Sequence, residues 1–81
     1  QLQVIKELKV YPNPVSSLLT IESIESIHSV RIIDLTGKTM QHNQVNGQRM
    51  TLDVSGLEKG MYLLQVQRHN GKQEMHKIII N

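Results

Sequence analysis

The chain has 81 residues, a net charge of +2 with its four histidines neutral, and no cysteine, tryptophan or phenylalanine. This length makes one small domain with a limited core, residues 1–81. The domain has no disulfide, and its scattered cations with only two aromatic residues argue against nucleic-acid binding. Because the chain starts at Gln1 and not at a methionine, we expect it to be a piece of a larger protein. It contains nothing like a signal peptide or a membrane span, so we do not expect it to insert into membranes.

Apolar residues recur with a period of two along most of the chain, which is the pattern of half-buried β-strands. Turn signals divide this pattern into seven predicted strands, at about residues 3–10, 18–22, 28–35, 38–43, 49–54, 61–69 and 72–80. Short strands at this spacing are typical of an all-β sandwich or barrel. The core is predicted to contain the inward members of the series, which are Val10, Leu19, Ile21, Val30, Ile32, Leu52, Val54, Tyr62, Leu64 and Val66.

The first predicted strand ends in the sequence VYPNPV, residues 10–15. Proline has no N–H to give to a sheet, and the residue before a proline is held in extended geometry. Residues 11–14 are therefore predicted to form a stiff exit that cannot pair as a central strand. Such a corner can simply end a strand, or it can mark a particular kind of module.

Two turn signals in the middle of the chain have different consequences. The sequence DLTGK predicts a type I turn with Gly37 in a left-handed bulge, which pairs Asp34 with Lys38. A tight turn at residues 46–47 would set apolar faces against polar ones, so this segment is predicted to loop between two sheets. That crossing favours an antiparallel sandwich over a simple meander.

The last predicted hairpin turns at Asn70–Gly71, a preferred pair for a two-residue type I′ loop. This loop would place Val66 opposite Met75. It would also place Tyr62 opposite Ile79, with both pairs facing the core.

The final strand has two unusual features in this register. Lys77 points inward, where a lysine needs a partner or must extend its ammonium group to the rim. The run Ile78–Ile80 is apolar on both faces, so the strand is a candidate edge for pairing with a partner or for self-association.

No catalytic, metal or cofactor site is predicted. The histidines lack the spacing of a zinc site, the serines lie in no nucleophile elbow, and the glycines form no phosphate-binding loop. We therefore expect a domain that is not an enzyme and holds no cofactor.

The turns and strand ends, taken in order, resemble one family. The successive motifs are VYPNPV, LTI, VRIIDLTGK, LDVSGLEKGMYLLQV and GKQEMHKIII with a final Asn81. Over about residues 8–81 they resemble the C-terminal sorting domain of the type IX secretion system, in its type A form. The chain departs from the family pattern at Ile33, where an aromatic residue is usual, and at Asn81, where a basic residue is common.

This resemblance implies an immunoglobulin-like sandwich of about seven strands at the end of an exported cargo protein. It implies passage through the periplasm, recognition by the type IX translocon and an outer-membrane shuttle barrel, and delivery to the outer membrane, the cell surface or the medium. A sortase-like cysteine peptidase usually removes such a domain and attaches the cargo to the surface. The domain would then be a signal and a substrate.

The resemblance also assigns a candidate sorting motif. Its members are Pro12, Asn13, Pro14, Gly37, Gly60, Tyr62, Lys77, Ile78, Ile79, Ile80 and Asn81. For the prolines, the glycines and Tyr62, a folding role is favoured over direct recognition. Residues Lys77–Asn81 are candidates for translocon contact. The alternative interpretation is a β-sandwich spacer, a carbohydrate-binding module or an adhesion module of a surface protein.

Overall fold

The structure is a computed structural model that describes residues 8–81. It contains five β-strands, which are β1 (Leu8–Tyr11), β2 (Leu18–Ile33), β3 (Thr39–Asp53), β4 (Gly60–Arg68) and β5 (Gln73–Ile80). Residues 8–81 include no helix, and therefore none that could cross a membrane. The all-β prediction is confirmed.

Two of these strands each contain a pair of the predicted strands, so the expected count of seven is not observed in the described residues. Strand β2 joins the predicted strands at 18–22 and 28–35, and β3 joins those at 38–43 and 49–54. The first predicted strand, 3–10, lies mostly outside the described residues. The predicted turn at 22–25 lies inside β2, and residues 46–47, predicted to loop between two sheets, lie inside β3.

A bulge interrupts the ladder between β2 and β3 at these two segments, so neither segment forms a turn that reverses the chain. The antiparallel ladder between β2 and β3 passes from the pair Glu22–Arg49 to the pair Ile27–Gly47, which leaves more unpaired residues on β2 than on β3. The side-chain amide of Gln48 crosses the gap and donates to the carbonyl oxygen of Ile24 at 2.7 Å. The bulge therefore bends both strands and keeps them continuous.

The bend divides the sheet into a small and a large half. In the small half, the beginning of β2 lies between β1 and the end of β3. In the large half, the rest of β2 lies between β3 and β4, and β4 pairs with β5. Both halves contribute to one buried cluster, so the sheet curls over a single core.

The predicted core is largely confirmed. Nine of its ten members are buried, and the tenth, Val10, is half-buried and packs against the others. The core also contains buried residues outside the predicted set, which are Leu8, Val15, Ile27, Val45, Ile78 and Ile80. The inward face of β5 supplies two of these additions, Ile78 and Ile80.

The turn between β2 and β3 forms as predicted. The Asp34 N–H donates to the carbonyl oxygen of Lys38 at 2.9 Å, and the Gly37 N–H donates to the carbonyl oxygen of Asp34 at 3.0 Å. Gly37 has a φ of 93°, a left-handed conformation that glycine adopts without strain.

The predicted register of the last hairpin is wrong by one residue. The Arg68 N–H donates to the carbonyl oxygen of Lys72 at 2.9 Å, and Gly71 has a φ of 88°, so the loop has three residues with a glycine bulge. This loop shifts all of β5. Val66 faces Glu74, Tyr62 faces Ile78, and Lys77 lies opposite Leu63.

Candidate functional site: the proline corner and the terminal strand

The segment VYPNPV forms a corner that lies against the terminal strand β5. The side-chain amide of Asn13 donates to the carbonyl oxygen of Lys77 at 3.0 Å, and the side-chain oxygen of Asn13 accepts from the N–H of Ile79 at 3.0 Å. Both X–Pro bonds, before Pro12 and before Pro14, are cis. Asn13 thus makes the two hydrogen bonds that a neighbouring strand would make at this edge.

Val15 extends this contact beyond the corner. Its N–H donates to the carbonyl oxygen of Ile79 at 2.9 Å, and its carbonyl oxygen accepts from the N–H of Asn81 at 2.8 Å. Val15 and Ile80 form an isolated parallel bridge, and the Val15 side chain is 1% exposed. The edge of β5 that the sequence analysis treats as open is therefore covered from Lys77 to Asn81.

The two faces of β5 differ from the sequence prediction because of the shifted register. Ile78 and Ile80 are buried, whereas Lys77 is exposed and Ile79 is 38% exposed. Met75, predicted to face the core, is 52% exposed. The prediction that Lys77 points inward is therefore wrong. Its side chain is exposed to solvent, so its charge is not buried.

The outward side chains of β4 and β5 form a surface that we call the outer apolar patch. It consists of Met61, Leu63, Met75 and Ile79 around Lys77. Met61 is 42% exposed and Leu63 is half-buried. A cation in the middle of four apolar side chains can pair with an acidic group of a partner while its neighbours bury apolar surface.

Gly60 and Tyr62 lie directly beside the terminal strand. Gly60 pairs with Ile80 and has a φ of 147°, and Tyr62 pairs with Ile78. The Tyr62 ring is buried, and its hydroxyl donates to the carbonyl oxygen of Glu58 at 2.7 Å. This bond ties the loop before β4 to the core, as in the tyrosine corners of other sandwiches.

Gly37 is the member of the candidate motif that lies apart from the terminal strand. It closes the turn between β2 and β3, where Asp34 organises the loop. The Asp34 carboxylate accepts from the Thr36 hydroxyl at 2.6 Å and from the Lys38 N–H at 2.9 Å. These bonds hold the pKa of the Asp34 carboxyl below its ordinary value of 3.8.

Asp53 forms a similar turn after β3. Its carboxylate accepts from the hydroxyl and the N–H of Ser55 at 2.6 and 2.9 Å, which lowers its pKa in the same way.

On the small half of the sheet, the Tyr11 hydroxyl donates to the Glu22 carboxylate. That bond raises the pKa of Tyr11 above its ordinary value of 10.0.

Two polar residues are buried among the described residues, Ser23 and Arg68, and the sequence analysis misses both. Arg68 at the end of β4 is 2% exposed, donates to the Ser23 hydroxyl at 3.2 Å and pairs with Glu74 at 3.3 Å. The period-two alternation of β4 puts Arg68 on the same face as Tyr62, Leu64 and Val66, but the local sequence does not identify the partners that stabilise a buried arginine. Within residues 8–81, no three histidine, aspartate or glutamate side chains converge to form a metal site.

Comparison with known families gives a clear match. The sequence model of a family described as "Secretion system C-terminal sorting domain" matches residues 9–81. Beta-agarase D from Zobellia galactanivorans is 33% identical over all of this chain, and an endo-acting ulvan lyase from Formosa agariphila is 32% identical over 91% of it. The chain spans only 16% and 15% of those two proteins.

Solved structures show the same fold. A DUF3244 family protein from Bacteroides vulgatus, with an immunoglobulin-like β-sandwich, superposes with a TM-score of 0.76 at 15% identity, over 90% of this chain and 83% of that one. PorZ, described as an essential bacterial surface component of the type-IX secretion system of Porphyromonas gingivalis, gives a TM-score of 0.75 at 21% identity, over 91% of this chain and 11% of PorZ. The predicted immunoglobulin-like fold class is confirmed.

Proposed function

Because the chain belongs to the family of secretion system C-terminal sorting domains, we propose that it carries its parent protein through the type IX translocon of the outer membrane. The family match over residues 9–81 is the observation that supports this most directly. As a sorting domain, it directs secretion to the cell surface or beyond.

The individual steps and partners are part of the same proposal. The parent protein passes through the periplasm, an outer-membrane shuttle barrel receives the domain, and a sortase-like cysteine peptidase removes it. In this scheme the domain acts as a signal and as a substrate of that peptidase. The resemblance of the motifs from the proline corner to Asn81 supports each step.

We propose that the translocon or its shuttle reads the outer apolar patch. Apart from the edge that pairs with β4, the terminal strand has three surfaces, and two of them are occupied. Its inward side chains, Ile78 and Ile80, are buried in the core, and its edge is bonded to the proline corner. The outward row of Met75, Lys77 and Ile79 is the surface of β5 that a partner can reach without unfolding the domain.

A passenger protein tests this assignment. A periplasm-targeted passenger fused ahead of residues 2–81 should reach the surface of cells that have a type IX system. The double variant Lys77→Glu with Ile79→Ser should leave the fold intact, because both side chains point outward, and should hold the passenger in the periplasm.

The matched control changes a lysine and an exposed aliphatic residue away from the patch. Lys72 and Leu18 are both exposed, and Leu18 is 55% exposed. The double variant Lys72→Glu with Leu18→Ser should be exported like the parent. Normal export of a folded Lys77→Glu, Ile79→Ser variant would show that the patch is not the recognised surface.

A further inference from the structure

Arg31 lies in the middle of the outward face of the sheet, on strand β2. It pairs with His42 of β3 on one side and with Gln65 of β4 on the other. Its neighbours Val30 and Ile32 are buried in the core, so the alternation of β2 directs the Arg31 side chain to the opposite face. This is the face that also contains the outer apolar patch.

The guanidinium of Arg31 is partly buried and unpaired within the described part of the chain. Its Nε atom is shielded from solvent and donates to no acceptor, and its other nitrogens make no hydrogen bond or ion pair with residues 8–81. A buried donor without a partner costs free energy, and such groups are few in native proteins. Arg31 therefore has a positive charge and donors that residues 8–81 do not use.

A depression of about 180 Å³ surrounds this side chain, and we call it the Arg31 depression. A water takes about 30 Å³ of liquid volume, so the depression can hold a larger group than one water. Its other walls are polar side chains that carry no full charge when the histidines are neutral, which are His28, Ser29, His42, Gln44, Gln65 and Gln67. The amide groups among them can donate to the oxygen atoms of a ligand.

The strands around the depression repel no anion on this face. In residues 27–33 of β2, residues 39–47 of β3 and all of β4 and β5, the one acidic residue is Glu74. Glu74 faces Val66 and pairs with the buried Arg68, so it belongs to the inward face. An anion can thus approach Arg31 without meeting a like charge on the outward face of these strands.

The charge of the depression fits a carboxylate. A guanidinium binds a carboxylate through two parallel hydrogen bonds. With neutral histidines, Arg31 supplies the single positive charge among the lining residues, and a carboxylate carries a single negative one. A phosphate group carries about 1.5 to 2 negative charges at pH 7, which one guanidinium does not balance.

We propose that the Arg31 depression binds the carboxylate of an acidic side chain on a protein that docks on the outward face of the sheet. Gln65 faces Met75 across β4 and β5, so the depression adjoins the outer apolar patch. One partner surface can bury apolar side chains on the patch and place an acidic side chain at Arg31. That the carboxylate comes from a protein rests on the proposed recognition of the patch, whereas the affinity of Arg31 for a carboxylate does not.

A hexaglutamate peptide, acetylated and amidated at its ends, tests the site on the 81-residue chain. In proton–nitrogen correlation NMR spectra, the Nε–H signal of Arg31 should shift with this peptide and reach saturation. Hexaglutamine should leave the signal unchanged, and inorganic phosphate at the same concentration should shift it less. These spectra of the parent protein test the site without any substitution.

The variant Arg31→Gln tests the assignment to one residue. It should fold, because the guanidinium makes no hydrogen bond or ion pair with residues 8–81. Its affinity for hexaglutamate should fall about tenfold or more, as expected for loss of a charge-assisted pair. Arg49 is exposed and lies outside the depression, so Arg49→Gln removes the same charge and should bind like the parent.

Three results would overturn the proposal. They are an Arg31 signal that hexaglutamate leaves unchanged, equal weakening in Arg31→Gln and Arg49→Gln, and a response to phosphate as large as the response to the peptide. The passenger fusion decides the proposed secretion function separately. A domain that exports its passenger but does not bind hexaglutamate would contradict this inference alone.

Discussion

At the scale of single residues, Tyr62 is the side chain whose removal should cost the most stability. The ring is 7% exposed, and its hydroxyl holds the loop before β4 through Glu58. Tyr62→Ala should lower the free energy of unfolding by about 3 kcal/mol or more, as for other buried aromatic residues. Tyr62→Phe removes one hydrogen bond and should cost about 1 kcal/mol.

Urea unfolding followed by circular dichroism measures both effects. Tyr11 is 40% exposed, so Tyr11→Ala is the control for loss of a tyrosine and should cost clearly less. If Tyr62→Ala were as stable as the parent, the ring would not belong to the core.

At the scale of elements, the entry into β4 depends on Gly60. Its φ of 147° is one that residues with a side chain rarely adopt, although a Cβ at this position would meet no atom within 4 Å. The backbone conformation of Gly60, and not steric crowding around it, therefore determines how much stability a substitution loses. Gly60→Val should destabilise the domain by about 1–3 kcal/mol.

Gly56 is the natural control for this change. It lies in the loop that leads to β4, with equal free space and without a positive φ. Gly56→Val should leave the urea midpoint much closer to that of the parent. Equal losses in the two variants would mean that the conformation of Gly60 is not what the loop requires.

Among the elements, the strands can be predicted from the sequence better than the turns that connect them. The period-two pattern predicts the strands and most of the core, because a strand buried on one face has apolar residues at every second position. It does not distinguish a turn at residues 22–25 from a bulge, since serine and glutamate are compatible with both. The Asn70–Gly71 pair similarly permits two-residue and three-residue loops, and that single difference reversed the predicted faces of β5.

Contacts between distant parts of the chain are the least predictable part of the candidate site. Asn13 bonds to residues 64 and 66 positions away. The sequence indicates that the corner matters through its two prolines, but no local rule assigns the partner of the asparagine between them. The partners of Arg68 are unpredictable for the same reason, because Ser23 lies 45 positions earlier.

At the scale of the whole molecule, the terminal segment contacts the rest of the domain in two ways. Ile78 and Ile80 pack in the core, and the backbone edge is hydrogen-bonded to the proline corner. The outward side chains of β5 make neither kind of contact, which is what the proposed recognition of a folded domain requires.

The most direct test of this account is where a passenger goes when the domain is its only sorting information. The passenger, targeted to the periplasm and fused ahead of residues 2–81, is compared in matched cells with and without a functional type IX translocon. The account predicts passenger on the surface or in the medium of the first cells and only in the periplasm of the second. Equal surface delivery in both, or retention in both with the domain folded, would contradict it.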